Sequence, residues 1–212
     1  MRKLYLLFIK PFLDFVVALL VLIIFSPIII LLIIILAWDF KGSPFFFQAR
    51  NGKGGKSFNV IKFKTMNDKK DDQGNLLPNA DRLTSLGRLV RKSSLDELPQ
   101  LVNVIRGEMS FIGPRPLPVR YFPYFDEIEK KRFLVRPGIT GLAQVAGRNQ
   151  LFWDKRLKLD VQYAENASLL FDLQILLKTV YKVISAKENE VNAASKMIDF
   201  DKYKKSLVND SK

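Results

Sequence analysis

From Phe15 to Trp38 the chain reads FVVALLVLIIFSPIIILLIIILAW, 24 residues without a charge. As one helix that run would measure roughly 36 Å at about 1.5 Å per residue, against a bilayer hydrocarbon core of about 30 Å. It belongs in a membrane, and a cleaved signal peptide fits poorly because the run is too long and no small-x-small site follows it. Ser26 and Pro27 stand near its middle. Proline removes an amide donor and clashes with the preceding turn, so a kink is expected there, with Ser26 bonding back to a carbonyl the kink frees. Arg2, Lys3 and Lys10 precede the run; the chain from residue 41 onward carries 31 basic groups, the whole chain's 34 less those three, and 19 acidic ones. Both flanks therefore favour the cytoplasm. A re-entrant helix that enters and leaves by one face satisfies both, whereas a straight span puts one basic end outside.

Over its 212 residues the chain has a formal charge of +13, so anionic partners are expected. It has no cysteine and no histidine. That removes disulfides, thiol nucleophiles, histidine bases and the usual zinc sites, and leaves carboxylates, amines, hydroxyls or a hard metal to do any chemistry. After the apolar run, residues 44–66 hold two Phe-, Val- and Ile-rich stretches around NGKGG, the pattern of a β-hairpin. A polar loop follows, then apolar residues at helical spacing from Arg82 to Ile105, divided by Ser93 and Ser94 into two helices. Pro114, Pro116, Pro118 and Pro123 exclude a long helix there and predict a structured loop leading into a short one. Residues 151–185 read as helices whose apolar and aromatic positions alternate with lysines, a pattern suited to a membrane interface. From about 186 no apolar stripe is sustained, and a mobile charged tail is expected. The expected fold is α+β: a re-entrant membrane helix over 1–40, a small, mostly helical catalytic domain with a β-hairpin and interface-lying amphipathic helices over 41–185, and a tail over 186–212.

Within this basic chain SSLDELPQ, residues 93–100, sets Asp96 against Glu97. Two local readings are available. Ser94 and Glu97 match a capping box, or Asp96 is itself the cap with Pro99 in the first turn. Either would stabilise a helix start by about 0.5–2 kcal/mol. The neighbours favour chemistry instead. Arg91 lies five residues upstream and Arg115 sits in the rigid GPRP loop. Basic groups keep carboxylates ionised, and an ionised carboxylate is a competent nucleophile toward phosphorus. Adjacent Asp and Glu oxygens also suit Mg²⁺, a hard cation usually held by one or two carboxylates plus substrate phosphate oxygens. Lys62 and Lys64 alternate with Phe63 on the presumed strand, placing both ammonium groups on one face. RPGITG offers Arg136 and backbone amides to a phosphate or a nucleobase edge.

Taken together, the apolar run with Ser26-Pro27, KFKTM at 62–66, SLDELPQL at 94–101, NVIRGEMSFIGPRP at 103–116, RPGITGLAQVAGRN at 136–149 and LDVQYAENASLLFDLQILLKT at 159–179 make a recognisable order and spacing. The chain resembles the bacterial sugar transferase family, the monotopic phosphoglycosyl transferases, and among them the compact PglC-like members. The resemblance implies a re-entrant helix broken at Ser26-Pro27 and an active site at the cytoplasmic face of the bacterial plasma (inner) membrane. It implies transfer of a phosphosugar from a UDP-sugar to polyprenol (undecaprenyl) phosphate with release of UMP, the step that initiates glycan assembly. Asp96 would then be the nucleophile that forms an aspartyl-phosphosugar intermediate, with Glu97 beside it and Mg²⁺ as cofactor. Arg91 and Arg115 would contact phosphate, a role extended to Lys62, Lys64 and Arg136. Membrane lipid and downstream glycosyltransferases are the further partners expected. Two rivals remain: a Mg²⁺-dependent nucleotide-sugar hydrolase or phosphatase using the same carboxylates, and a membrane-anchored nucleic-acid binder. The second leaves the acidic doublet unexplained, so no nucleic-acid partner is expected.

Overall fold

The structure is a computed structural model and describes residues 2–147, 151–185 and 198–210. Arg148 and Asn149, the end of the RPGITGLAQVAGRN segment, and residues 186–197 of the expected tail lie outside these. The chain opens with helix α1, Arg2–Phe40, which has a π-helical stretch at Tyr5–Ile9 and ends where Lys41 turns left-handed, with φ 48°. The helix is not broken at Ser26-Pro27, as the resemblance implies it would be, but runs on through Pro27, and the Ser26 hydroxyl donates to Ile23 O at 2.7 Å. Ile23 O is the carbonyl that a residue-27 amide would have served, so the serine replaces the hydrogen bond the proline removes.

Strands β1 (Phe45–Asn51) and β2 (Ser57–Phe63) form the expected antiparallel hairpin, closed by a 3₁₀ turn at Lys53–Gly55, with Phe45 opposite Phe63 and Phe46 opposite Lys62. After the polar loop comes α2, Ser85–Lys92, capped by Thr84, whose hydroxyl accepts from Gly87 N at 2.9 Å. The 3₁₀ turn Leu95–Glu97 and α3, Gln100–Ile105, follow. Asn103, fully buried, fastens α3 to the hairpin: its amide donates to Asn59 O and its carbonyl oxygen accepts from Ile61 N at 3.0 Å. Short strands β3 (Ser110–Ile112) and β4 (Gly138–Thr140) pair in parallel, and helices α4 (Leu142–Gly147), α5 (Trp153–Asn166), α6 (Leu169–Ser185) and α7 (Phe200–Asp210) complete the described chain.

The two halves of α1 pack on the same body. Before Pro27, Ala18, Val21 and Leu22 meet Val60, Leu101, Val104 and Met109. After it, Leu32, Leu36 and Phe40 meet Phe63, Val90 and Leu95. The amino-terminal end is further fixed by buried polar groups: the Asp172 carboxylate accepts from Lys10, from Tyr5 at 2.6 Å and from Tyr163 at 2.7 Å, and Asp14 accepts from the Ser110 hydroxyl at 3.1 Å and Phe111 N at 3.2 Å. Breaking one side of such a buried pair typically costs about 3–5 kcal/mol, so this end of the helix is held firmly. The opposite face of α1 is bare: Ile24, Ile34 and Trp38 are 69%, 61% and 83% exposed. A face of that character is compatible with lipid and not with water.

The expected mobile tail is corrected for its last part. Phe200 is fully buried in an aromatic cluster, stacked on Phe125 at 4.9 Å between ring centroids and close to Trp153 and Tyr121. One well-placed aromatic docks α7 without an apolar stripe of its own, because the partner rings supply the surface.

Candidate active site

Asp96 and Glu97 stand on the 3₁₀ turn Leu95–Glu97, and neither acts as a helix cap. Ser94 adopts φ 57°, its side chain caps nothing, and its amide donates to Arg91 O at 3.0 Å. Pro99, not Asp96, occupies the cap position of α3. Both local readings of the doublet are thereby overturned, for a charge-based reason. The Glu97 carboxylate is drawn to Lys62 Nζ at 2.5 Å and Arg115 Nη2 at 3.2 Å, both on Oε1, and these charge-assisted bonds outweigh one to a backbone amide. Asp96 Oδ2 lies 3.9 Å from Lys62 Nζ and accepts no hydrogen bond from the described residues.

The two carboxyls titrate in opposite directions. Burial pushes Asp96 up, aided by the neighbouring Glu97 charge, with Lys62, Arg91 and Arg115 pulling against it. Glu97 is also pushed up by burial, but Arg115 and Lys62 override that and hold it at about 2. Lys62 is pulled down by burial and by the Arg115 charge, with Glu97 opposing. Glu97 is thus a fixed anion that assembles two cations, while Asp96, 14% exposed, faces the site with its oxygens uncommitted.

The remaining expected residues divide. Arg91 donates from Nε to Thr65 Oγ1 at 2.8 Å and is coupled electrostatically to Asp96, so α2 brings it to the edge of the site. Lys64 does not join the acidic pair: β2 ends at Phe63, and the Lys64 ammonium pairs with Asp68 and lies over the Phe40 ring. The expectation that Lys62 and Lys64 present one cationic face therefore gives way to separate partners. Arg136 lines a different pocket, with Lys10, Asp14 and Lys53. The glycines of its loop serve close packing: a Cβ on Gly138 would lie 2.1 Å from Gly113 N, and the Gly138 amide itself donates to Pro114 O at 3.0 Å. That ladder sets the course of the GPRP loop and so places Arg115.

Arg115 is held from behind by a pair that sequence reasoning missed. Arg132 Nη2 donates to Arg115 O at 2.7 Å and to Asp160 Oδ2 at 2.8 Å, with both side chains of the pair 2% exposed. The signal was present in α5, where Asp160 shares its helical face with Leu157, Val161 and Ala164. An acid among apolar neighbours at that spacing must have a buried partner. Arg50 and Gln100 were also missed; they line a cleft with Lys62 and Arg115.

For a divalent cation, the donor set fits Mg²⁺. Glu97 Oε2 and both Asp96 oxygens are free of hydrogen bonds from the described residues, and no group of three or more acidic side chains among those residues could hold an ion unaided. One or two carboxylates completed by substrate phosphate oxygens is the usual Mg²⁺ arrangement.

Comparison with known proteins identifies the family. A model of the bacterial sugar transferase family matches residues 5–186. Over 144 residues, 68% of this chain and 71% of the relative, the sequence is 54% identical to an uncharacterized sugar transferase, EpsL, of Bacillus subtilis. It is 38% identical over 184 residues to the exopolysaccharide production protein ExoY of Rhizobium meliloti, covering 79% of this chain and 81% of that one. It is 37% identical over 186 residues to a UDP-glucose:undecaprenyl-phosphate glucose-1-phosphate transferase of Caulobacter vibrioides, covering 83% of this chain and 70% of that one. The chain belongs to the bacterial sugar transferase family and is a phosphoglycosyl transferase.

Proposed function

We propose that the protein moves a sugar phosphate from a UDP-sugar to a polyprenyl phosphate such as undecaprenyl phosphate, in two displacements through Asp96, at the cytoplasmic face of the plasma membrane. The observation that carries this reading is the division of labour on one turn, with Glu97 locked between Lys62 and Arg115 and Asp96, beside them, taking no hydrogen bond from the described residues. An Asp96 oxygen attacks the sugar-bearing phosphorus. The bond from that phosphorus to the bridging oxygen breaks, and UMP departs with the oxygen and its electron pair. An oxygen of the polyprenyl phosphate then attacks the same phosphorus, and the Asp96–phosphorus bond breaks to regenerate the carboxylate. Splitting the transfer lets a water-soluble donor and a lipid acceptor react in turn, and one hard step becomes two easier ones. Lys62 and Arg115 hold phosphate oxygens and offset developing charge. Mg²⁺, held by Asp96 and Glu97 with phosphate oxygens, would neutralise charge on the diphosphate.

The membrane placement has its own support. Both arms of α1 pack on one body, which suits a helix that dips into one leaflet and returns, and α6 adds exposed Leu170, Leu177 and Tyr181 near Lys178 and Lys182. The reaction is tested by incubating the protein with a UDP-sugar alone and recording an intact mass. The expected result is a mass gain of one phosphosugar that vanishes in Asp96→Asn; an adduct that persists in Asp96→Asn reassigns the nucleophile. UMP release that takes no account of added polyprenyl phosphate would point to hydrolysis instead.

A further inference from the structure

An open cleft lies beside the acidic turn, between the hairpin, the start of α3 and the GPRP loop. Three cations line it: Arg50, Lys62 and Arg115. Glu97 answers Lys62 and Arg115 together with a single charge. Arg50 has no acidic partner among the described residues; its guanidinium donates to Gln48 Oε1 and to Pro116 O. Burial and the nearby Arg115 charge pull its pKa down to about 10, the mark of a cation lacking its anion. Gln100 lines the same cleft, is only 3% exposed, and its Nε2 has no partner. A buried amide donor without an acceptor is costly, and a ligand oxygen would relieve it.

We propose that this cleft is a phosphate subsite, in which the Gln100 amide and the Arg50 guanidinium, with Arg115 and Lys62, receive a phosphate monoester dianion beside Asp96 and Glu97. With Asp96 esterified the charges fit: three cations against the Glu97 carboxylate leave an excess of two, and a phosphate monoester carries about −1.5 to −2 near neutral pH. The proposal rests on the transfer reaction above. Two participants in it carry such a group: the departing nucleoside monophosphate and the polyprenyl phosphate. The dianion is best accommodated while Asp96 is esterified and no longer a free anion. That is the state in which the nucleotide has just left and the lipid has yet to arrive.

The test uses the full chain purified in lipid nanodiscs. Gln100→Glu places a carboxylate at the orphan amide with little change of shape, and Arg50→Met removes the unanswered cation. Should Gln100→Glu fail to fold, as read by its melting curve, Gln100→Leu keeps the volume and removes only the donor. Calorimetric titration with UMP is expected to give a Kd raised about tenfold or more in these variants, the scale of one lost charge-assisted hydrogen bond, with uridine affinity unchanged. Weakened UMP binding assigns the subsite to the donor; a raised KM for polyprenyl phosphate with unchanged UMP binding assigns it to the acceptor. Inorganic phosphate, read through its thermal stabilisation of the protein, separates this proposal from the parent reading. Stabilisation lost in the variants upholds the subsite even if the wild type transfers no sugar phosphate. Variants that bind UMP, polyprenyl phosphate and inorganic phosphate as the wild type does overturn the subsite, even if the wild type is an active transferase.

Discussion

Asp96 and Glu97 are covalent neighbours with opposite electrostatic fates, and the difference follows from which of them the cations reach. Environments that push two carboxyls apart assign them different work: Glu97 is a permanent anion, and Asp96 is a poised one. Lys62 is the main group holding Asp96 down against burial. In the proposed mechanism Asp96 must be ionised to attack, so activity should fall as pH drops through the Asp96 pKa, and removing the cation raises that pKa. Lys62→Met should therefore lower kcat/KM and move the acid limb of its pH profile to higher pH; a limb that stays in place would separate Lys62 from Asp96. The Arg132–Asp160 pair acts one step further back. Asp160→Asn strands a buried guanidinium and should cost about 3–5 kcal/mol in stability. The double change Arg132→Met with Asp160→Leu, apolar and similar in volume, should recover most of that loss in a melting curve. Turnover should remain low, because nothing then holds the Arg115 carbonyl.

At the scale of elements, the structure depends on a few close backbone approaches, and they mark where the sequence could and could not be read. Gly87 packs its α-carbon against Thr65, where a Cβ would fall 2.0 Å from the Thr65 carbonyl oxygen. Gly87→Ala must push α2 away from the hairpin, at about 1–3 kcal/mol by analogy with overpacked cores. Because α2 carries Arg91 onto Thr65, the same change should reduce activity along with the melting temperature; a variant stable and active as wild type would show that α2 adapts freely. The hairpin, the division of helices at Ser93 and Ser94, and the helices after 151 were legible because period and turn residues are local signals. The β3–β4 ladder was not. Each strand has three residues, too few to alternate, and the pairing is set by Gly113 and Gly138 meeting across 25 positions of sequence. Likewise Phe200 gave no periodic cue, since its partners are rings contributed by α5 and the Pro-rich loop. In the site, Asp96, Glu97, Lys62 and Arg115 stood out as charges in rigid or conspicuous contexts. Arg50 and Gln100 did not, because only the folded hairpin brings them to the same cleft.

For the molecule as a whole, the question is what fixes the direction of α1. Its 39 residues would extend about 58 Å if straight, well beyond the roughly 30 Å of hydrocarbon. Under the re-entrant placement proposed above, two features would oppose a straight crossing. Pro27 disfavours continuous helix by about 3 kcal/mol, and the Lys10–Asp172 pair ties the amino-terminal arm to the body that also receives the other arm. The energies are comparable, so removing either alone should redirect only part of the population. The chain has no cysteine, which allows single reporters at the exposed positions Lys3 and Lys56 to be labelled with a membrane-impermeant maleimide from one side. In the parent both reporters should react from the cytoplasmic side. Pro27→Ala should move a fraction of the Lys3→Cys signal to the opposite side while Lys56→Cys stays put, and adding Asp172→Leu should enlarge that fraction. If the combined variant still reacts from one side only, neither the proline nor the buried pair decides topology. The basic flanks alone would then hold both ends at the anionic membrane surface, and raising salt during insertion should be what releases Lys3.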